Sequence, residues 1–267
     1  MSDYLQNLTV FTHPLIKHKV SHLCDVNTGS KEFSELVREL SMLMGYEALK
    51  DLKTMDVEIQ APLQKITTPV LAEDFTIVPI LRAGLGMVDG LRSLSPTAKV
   101  GHIGLYRDEE TLMPMTYYFK LPVDNGPVIV VDPALATGGS ADAAIQFVKD
   151  YGCKNIKFMC IFASEVGVKL LYEKHPDVKV YAANYAPGPL SEQGYIYTAA
   201  GDAGDRLCGT VSYKPEKKDL ALVCDDIWEG VHNGYATVLK VGDTYRLYYR
   251  VGGQSGFLSP TGLPEKG

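Results

Sequence analysis

Residues 126–141 read GPVIVVDPALATGGSA, and this stretch decides the fold. Its β-branched run Val128–Val131 is uninterrupted, which is typical of a central strand in a parallel sheet. The strand ends at Asp132-Pro133, because proline cannot donate a hydrogen bond to a sheet ladder. The small residues of Leu135–Ser140 follow, and the apolar spacing of residues 143–148 then predicts a helix. The stretch therefore predicts a strand, a glycine loop and a helix.

A loop between a strand and a helix N-terminus is suited to binding a phosphate group. The first backbone N–H groups of a helix lack intrahelical partners, and the helix dipole favours negative charge there. Gly138 and Gly139 let the main chain approach the oxygens, while the hydroxyls of Thr137 and Ser140 add donors. Asp132 can accept hydrogen bonds from sugar hydroxyls, so the stretch predicts a ribose 5-phosphate site. The alternative is an ordinary βα turn.

Composition and charge narrow the class of protein. The chain has 267 residues and a net charge of −6 with both signs interspersed, which predicts no nucleic-acid partner and no anionic-membrane partner. The N-terminus does not read as a signal peptide and no apolar run is long enough to span a membrane, so we expect a cytoplasmic protein. Five scattered cysteines without a CxxC pair predict reduced thiols.

Further apolar runs predict strands and helices in alternating order. They predict strands at 75–81, 100–105, 156–162 and 178–183, and helices at 33–52, 141–151 and 166–174. This order predicts an α/β fold with a parallel sheet, which binds ligands at the carboxyl ends of its strands. Arg82, Arg107 and Asp132 each lie at the end of a predicted strand, so we expect them to converge on one edge.

Four other features have more than one interpretation. Arg82, beside a glycine turn, suits a second phosphate group, although a structural ion pair is the alternative. Leu112–Pro122 predicts an exposed flap that closes over a ligand or contacts a second subunit. His18 and His22 have the spacing of a helical metal pair but no third ligand, so we predict no metal site in the protein. Gly201–Arg206 predicts a turn-rich loop whose main chain can pair with a flat heterocycle.

Taken together, these residues resemble the uracil phosphoribosyltransferases over residues 13–210. The motifs that carry the resemblance are HPLIKHK at 13–19, VPILRAGLGMVDG at 78–90, VGHIGLYRDEETLMPMTYYFKLP at 100–122, VVDPALATGGSA at 130–141, GYI at 194–196 and GDAGDRLCGT at 201–210. The resemblance implies the type I phosphoribosyltransferase fold with a flap. It also implies transfer of ribose 5-phosphate from phosphoribosyl diphosphate to N1 of uracil, with Mg²⁺, giving UMP and diphosphate.

The resemblance also implies roles for individual residues. Arg82, Arg107 and Asp202 would be catalytic, with both arginines on the diphosphate and Asp202 near donor and base. The donor would be held in addition by Asp132, Pro133, Ala134, Leu135, Ala136, Thr137, Gly138, Gly139 and Ser140. Uracil would be held by Ile196, Gly201, Asp202 and Ala203. Mg²⁺ would be carried largely by substrate oxygens and water. A homodimer or larger homo-oligomer is implied, and regulation by GTP stays open.

This chain departs from the family pattern at several positions, most of them on the base side. Residues 197–200 read Tyr-Thr-Ala-Ala where the family usually has Val-Pro-Gly-Leu, and 187–189 read Pro-Gly-Pro. Ser164-Glu165-Val166 replaces a usual Ala-Pro-Glu, Cys24 replaces an arginine and Ala134 a methionine. The leading hypothesis is a transferase for uracil. A transferase for another uracil-like heterocycle and a non-catalytic regulator that binds phosphoribosyl diphosphate are the alternatives.

The resemblance ends near residue 210, which predicts two parts. Residues 1–212 form the predicted phosphoribosyltransferase domain, and residues 213–267 form a linker with a small β-rich extension. Within the extension, 235–240 and 244–251 alternate in the manner of two paired strands, so we predict a β-hairpin there.

Overall fold

The computed structural model describes residues 3–107, 114–122, 126–210, 236–241, 244–251, 254–258 and 264–266. The chain divides into two compact units, Met1–Val211 and Ser212–Gly267. None of the helices in these ranges combines the length and the apolar character that crossing a bilayer requires.

The first unit contains eleven strands and six α-helices in its described part. The strands are β1 (Leu8–Val10), β2 (Thr54–Gln60), β3 (Lys65–Leu71), β4 (Thr76–Leu81), β5 (Lys99–Val100), β6 (His102–Arg107), β7 (Pro114–Lys120), β8 (Val128–Val131), β9 (Ala134–Leu135), β10 (Ile156–Ser164) and β11 (Lys179–Ala186). The helices are α1 (Pro14–Cys24), α2 (Ser30–Ala48), α3 (Leu85–Arg92), α4 (Gly139–Asp150), α5 (Glu165–Lys174) and α6 (Ala203–Cys208).

A mostly parallel sheet organises this unit, as the sequence predicted. Its main order is β1-β11-β10-β8-β4-β6-β7, with β5 beside β4 and β9 beside β10. Every neighbouring pair along this path is parallel except β6 with β7. The predicted central strand Val128–Val131 is β8, and all four of its residues are buried. The α/β fold class is therefore confirmed.

Alternation along β8 builds a separate apolar core on each face of the sheet. Ile129 and Val131 belong to the core that includes the buried side chains of α1, α2 and α3. Val128 and Val130 belong to the core that includes those of α4 and α5. Because successive side chains of a strand point to opposite faces, a strand covered on both sides must be apolar at every position. This accounts for the unbroken β-branched run.

The segment predicted as a flap, Leu112–Pro122, contains an extended strand in its described part. Residues up to 113 lie outside the described part of the chain, but Pro114–Lys120 forms β7, an antiparallel edge strand of the main sheet. A Cβ at Gly104 would lie 2.5 Å from the Tyr117 ring, so the glycine of β6 leaves room for an aromatic side chain across the strand pair. Tyr117 and Tyr118 are 56% and 45% exposed, so the edge strand is exposed as predicted, while closure over a ligand or contact with a second subunit stays a prediction.

A buried lysine joins the end of α2 to the sheet. Lys157 lies on β10 with its side chain 5% exposed, forms an ion pair with Asp51, and donates to the carbonyl of Ala48 over 2.7 Å. Asp51, by contrast, is 52% exposed. Burial raises the pKa of Asp51, but the hydrogen bond and charge of Lys157 outweigh it and the net pKa is lowered.

This difference in exposure between Lys157 and Asp51 predicts that their removal lowers the free energy of unfolding by unequal amounts. We expect Asp51→Ala to lower the free energy of unfolding by about 3 kcal/mol, because it leaves a buried ammonium without its counter-charge. Lys157→Met should cost about 1 kcal/mol, since water can solvate the exposed carboxylate that remains. Urea denaturation measures both, and the double variant should be close to Lys157→Met alone. A larger loss for Lys157→Met than for Asp51→Ala would contradict the assignment.

The described residues of the second unit form an antiparallel sheet of four strands in the order β12 (Ala236–Val241), β13 (Thr244–Val251), β14 (Gln254–Leu258) and β15 (Pro264–Lys266). The first two strands form the predicted hairpin, with Val241 opposite Thr244. The last two strands continue the sheet and were not predicted. The predicted linker around 214–218 lies outside the described residues.

Candidate active site

The carboxyl ends of three neighbouring strands bring the first site residues to one edge of the sheet. Arg82 follows β4, Arg107 is the last residue of β6, and Asp132 follows β8. A Cβ at Gly84 would lie 2.5 Å from the carbonyl oxygen of Val131, so this glycine lets the loop after β4 pack against the end of β8. The side chain of Arg107 lies outside the described part of the structure.

The phosphate loop runs from Asp132 into the first turn of α4. Gly138 caps the helix with φ 87°, in the left-handed region that side chains other than glycine rarely adopt. A Cβ at this position would also lie 2.9 Å from Leu170 Cδ2 and 3.2 Å from the Cα of Gly167. The loop therefore needs glycine at position 138 for its conformation and for its packing on α5.

The first residues of the predicted phosphate loop pair with the main sheet. Ala134 and Leu135 form β9 and pair with Phe162 and Ala163 of β10. The carbonyl of Pro133 accepts hydrogen bonds from two β10 amides, at 3.0 Å and 2.9 Å. The residues from Ala136 to Ser140 are therefore the part of the loop whose backbone lies nearest the start of α4.

Asp132 is half-buried between the loops. Burial raises the pKa of the Asp132 carboxyl to about 7. A hydrogen bond from the backbone N–H of Ala134 lowers this pKa by less than burial raises it, and the negative charge of Asp202 adds to the rise. Asp132 therefore changes charge near neutral pH.

The raised pKa predicts a pH-dependent stability contribution from Asp132. The folded-state pKa of about 7 lies above the ordinary value of 3.8, so the stability it contributes is complete below about pH 4 and is lost as the pH rises through 7. Asp132→Asn removes this titration. We expect its free energy of unfolding, relative to the wild type, to rise by about 3 kcal/mol between pH 5 and pH 8. Urea unfolding at the two pH values tests this, and a difference that does not change with pH would contradict it.

Arg82 forms the ion pair that was one of its two predicted interpretations, and its contact with a phosphate group stays a prediction. Its guanidinium lies 3.2 Å from the Asp205 carboxylate, which forms an ion pair, yet 58% of its side chain stays exposed. Asp205 in turn accepts a hydrogen bond of 2.7 Å from the Thr210 hydroxyl. The peptide bond between Leu81 and Arg82 is cis. Because the guanidinium of Arg82 contacts Asp205 through one nitrogen and stays largely exposed, it can still contact an anion in the loop.

The predicted loop at Gly201–Arg206 is corrected to a loop followed by a short helix, α6. Asp202 caps the helix: one carboxylate oxygen accepts from the Asp205 amide at 2.8 Å, and the other accepts from the Tyr195 hydroxyl at 3.2 Å. Gly201 has φ 71° just before the cap. An aspartate at the cap and an acidic residue three positions on form a helix-start pattern that the sequence contained.

The remaining predicted base residues surround this cap. Ile196 and Ala203 are buried, and Ile196 forms an isolated antiparallel bridge with Leu190. Burial raises the pKa of the Tyr195 hydroxyl, and the Asp202 carboxylate adds to the rise. Tyr195 thus holds the Asp202 side chain in place, a role that the sequence analysis did not assign.

Two close approaches bring the base segment against the donor loops. A Cβ at Gly194 would lie 3.4 Å from Thr137 Cγ2, so the turn before Ile196 touches the phosphate loop. A Cβ at Gly204 would lie 3.7 Å from Ala83 Cβ, so the start of α6 touches the loop after β4. The three predicted segments therefore lie against one another at the sheet edge.

Comparison with known proteins identifies the family of this chain. The family model described as uracil phosphoribosyltransferase matches residues 10–210, which include all three segments. The chain belongs to the uracil phosphoribosyltransferase family. A uracil phosphoribosyltransferase from Finegoldia magna is 54% identical over 209 residues, which are 77% of this chain and 100% of that protein. One from Bacillus cereus is 53% identical over 206 residues, 76% of this chain and 98% of that protein.

A solved structure supports the same assignment of fold. The chain is similar to an Aquifex aeolicus protein with a TM-score of 0.73 and 35% sequence identity, over 77% of this chain and 100% of that one. The family match stops at residue 210, before the second unit, and 209 residues of this chain cover the whole of the Finegoldia magna protein.

Arg206 is a structural residue that the sequence analysis missed. Its guanidinium donates to the carbonyls of Leu23, Asp25, Thr28 and Ala200 at 2.6–3.3 Å and lies 4.4 Å from the centre of the Phe33 ring. It therefore ties the turn between α1 and α2 to the segment just before Gly201. These contacts join residues far apart in the chain, so no local pattern could predict them.

A cleft of about 440 Å³ opens beside Arg206. Its lining includes Cys24, Ala199 and Ala200, three positions at which this chain departs from the usual family sequence. Gly201 also lines the cleft, so it adjoins the predicted base site. These three departures therefore lie in one place, next to the acceptor side of the family site.

The histidine pair and the cysteines were two further features of the sequence. The rings of His18 and His22 contact each other with centroids 4.6 Å apart. Across the parts of the chain that the structure describes, no three His, Cys, Asp or Glu side chains group together in a way that could hold a metal ion. Cys24, Cys160 and Cys208 carry free thiols.

Proposed function

We propose that this protein is a uracil phosphoribosyltransferase, which transfers the ribose 5-phosphate of phosphoribosyl diphosphate to N1 of uracil and releases diphosphate. The observation that carries the proposal is the family match over residues 10–210, which spans every segment that meets at the sheet edge. The reaction is a pentosyl transfer and serves pyrimidine salvage.

On the donor side, the proposed roles follow from where charge lies. The 5-phosphate binds at the N-terminus of α4, where backbone N–H groups and the helix dipole favour an anion. Asp132, ionised above its pKa of about 7, accepts hydrogen bonds from the ribose hydroxyls. Arg82 and Arg107 contact the diphosphate. Departure of diphosphate from C1 builds positive charge on the ribose, so these residues act by positioning the donor and neutralising the leaving group.

On the acceptor side, the main chain recognises the base. The backbone groups of Ile196, Gly201 and Ala203 pair with the amide-like edge of uracil. Asp202, held by Tyr195 and by the start of α6, faces the same space and orients the N1–H edge of the base. None of these proposed roles is that of a covalent nucleophile that attacks the ribose.

A magnesium ion fits the proposed donor site. The Asp202 charge contributes to the raised pKa of Asp132, so the two carboxylates lie near enough to repel each other. A cation carried by the donor would relieve this repulsion, and Asp132 and Asp202 are the residues that would hold it, with water and substrate oxygens as further ligands. When bound, Mg²⁺ neutralises the diphosphate.

The cleft at Cys24 and Ala199 supports a second candidate, a transferase for another uracil-like heterocycle. Three of the side chains that line this cleft beside Gly201, those of Cys24, Ala199 and Ala200, are small, which leaves room for a larger base. A regulator that binds the donor without turnover is the third candidate.

The test is to incubate the pure protein with phosphoribosyl diphosphate, uracil and Mg²⁺, and to quantify products by chromatography. UMP and diphosphate should form in equal amounts and in no mixture that lacks one of the three components. Donor binding without a nucleotide product would contradict catalysis and favour the regulator.

We also propose that the protein forms a homodimer or a larger homo-oligomer through the β2–β3 ribbon. The paired residues Met55 with Val70 and Ile59 with Ile66 share one face of this two-stranded ribbon. Their exposed fractions are between 37% and 50%. A two-stranded ribbon with an uncovered apolar face is marginal in water, so a second copy of the chain is the proposed cover.

We expect Ile66→Asp to break this association, because it places a charge in the apolar face. Thr67→Asp is the matched control, since Thr67 lies next in the strand and points to the opposite, polar face. Light scattering should give at least twice the 29.2 kDa of one chain for the wild type and for the control, and one chain for Ile66→Asp. A monomeric wild type would contradict the proposal.

A further inference from the structure

The back of the phosphate loop rests on the first turn of α5. Ser164, the last residue of β10, is 1% exposed and caps α5 by accepting a hydrogen bond of 2.9 Å from the Gly167 amide. The same hydroxyl donates to the carbonyl of Ala136 over 2.5 Å. One buried side chain therefore joins the helix start to the phosphate loop.

Gly167 completes this contact by having no side chain. A Cβ there would lie 2.8 Å from the carbonyl oxygen of Ala136 and 3.0 Å from that of Leu135. Both carbonyls of the loop therefore point at the N-terminal turn of α5, where the partial positive charge of the helix dipole favours carbonyl oxygens.

The direction of the Ala136 carbonyl fixes the direction of the next amide. The peptide bond between Ala136 and Thr137 is trans, so its C=O and N–H point in opposite directions. With the carbonyl turned inward to buried Ser164, the Thr137 N–H is turned outward, to the side of the loop from which a phosphate approaches. An amide in this position adds a donor to those at the start of α4.

We infer that Ser164 and Gly167 are positioning residues for the 5-phosphate, which act by holding the Ala136–Thr137 peptide so that its N–H faces the ligand. The inference rests on the proposed function, since it assigns a role in donor binding. It reaches beyond that function because neither residue touches the substrate.

The test measures the two halves of the donor separately by calorimetry, with ribose 5-phosphate as one probe and inorganic pyrophosphate as the other. We expect Ser164→Ala to weaken ribose 5-phosphate binding about fivefold, the value of one neutral hydrogen bond, and to leave pyrophosphate binding within twofold. Gly167→Ala should weaken ribose 5-phosphate binding about tenfold or more, because the added Cβ forces the loop carbonyls to move. In steady state, both variants should raise the KM for the donor more than they lower kcat.

His13→Ala is the matched control for the loss of a helix cap. His13 caps α1 by accepting from the Leu15 amide at 3.2 Å and takes no part in the phosphate loop. It should leave both affinities unchanged. Equal losses for both probes, an unchanged affinity for ribose 5-phosphate in both variants, or the same loss in His13→Ala would overturn the inference. Because the binding measurements need no turnover, a wild type that binds ribose 5-phosphate but makes no UMP would refute the proposed function and leave this test valid.

Discussion

Replacing Gly138 with alanine should reduce kcat/KM for phosphoribosyl diphosphate by about a thousandfold, almost entirely through loss of donor binding. Gly138 has φ 87° at the cap of α4, and an added Cβ would lie 2.9 Å from Leu170 Cδ2. The backbone would have to leave the left-handed region and the loop would have to withdraw from α5. Either movement turns the first amides of α4 away from the 5-phosphate. Steady-state kinetics with donor as the varied substrate measures the effect.

Gly152→Ala is the matched control, because it places the same kind of strain at the other end of the same helix. Gly152 has φ 104°, and a Cβ there would meet no atom within 4 Å. We expect both variants to lose about 1–2 kcal/mol of stability from the backbone conformation. Gly152→Ala should keep the wild-type KM for the donor. Equal kinetic losses in the two variants would show that the effect is general destabilisation, which contradicts the role of the loop.

Replacing Arg82 with alanine should lower kcat by about a hundredfold or more, because the charge that offsets the departing diphosphate is lost from the transition state. Its stability cost should be under about 1 kcal/mol, since the ion pair with Asp205 is largely exposed. Arg82→Lys should recover part of the loss at most, because an ammonium lacks the two-pronged geometry of the guanidinium. Arg92→Ala is the control, because Arg92 lies on α3 and donates to the Pro96 carbonyl.

Asp205→Asn distinguishes the two interpretations of Arg82. If the arginine served only the ion pair, the loss of its partner charge would cost as much activity as the loss of the arginine itself. We expect instead that Asp205→Asn keeps activity within about fivefold of the wild type. The Arg82 guanidinium remains in this variant, and the backbone N–H of residue 205 still donates to the Asp202 carboxylate. A hundredfold loss in this variant would contradict a direct role of Arg82 on the diphosphate.

The parts of the fold that the sequence predicted are those with a continuous local signal. Val128–Val131 and Ile156–Phe162 are apolar at nearly every position because both faces of the sheet are covered, and short runs of this kind are typical of buried parallel strands. The extended conformation of Pro114–Lys120 was predicted, but its pairing within the main sheet was not, because a mixture of aromatic and polar residues also fits a segment outside a sheet. Its position as β7 depends on β6, and especially on the room above Gly104.

The residues of the candidate site also divide into those that a local sequence pattern predicts and those that it does not. The phosphate loop could be predicted because strand, glycines and helix follow one another within a few residues. The positions of Tyr195, Arg206 and Ser164 could not be predicted, because each acts on a residue distant in the chain or across a turn. The α6 helix was missed since two glycines in Gly201–Arg206 indicate a turn, whereas the Asp202 cap decides the outcome.

The central claim is that the acceptor is uracil, and a competition among bases tests it most directly. The pure protein is supplied with phosphoribosyl diphosphate, Mg²⁺ and equal concentrations of uracil, thymine, cytosine and hypoxanthine, and the nucleotides formed are identified by mass spectrometry. The account predicts that UMP is by far the main product, despite the small side chains at Cys24, Ala199 and Ala200. A different nucleotide as the main product, or no nucleotide from any base, would contradict it.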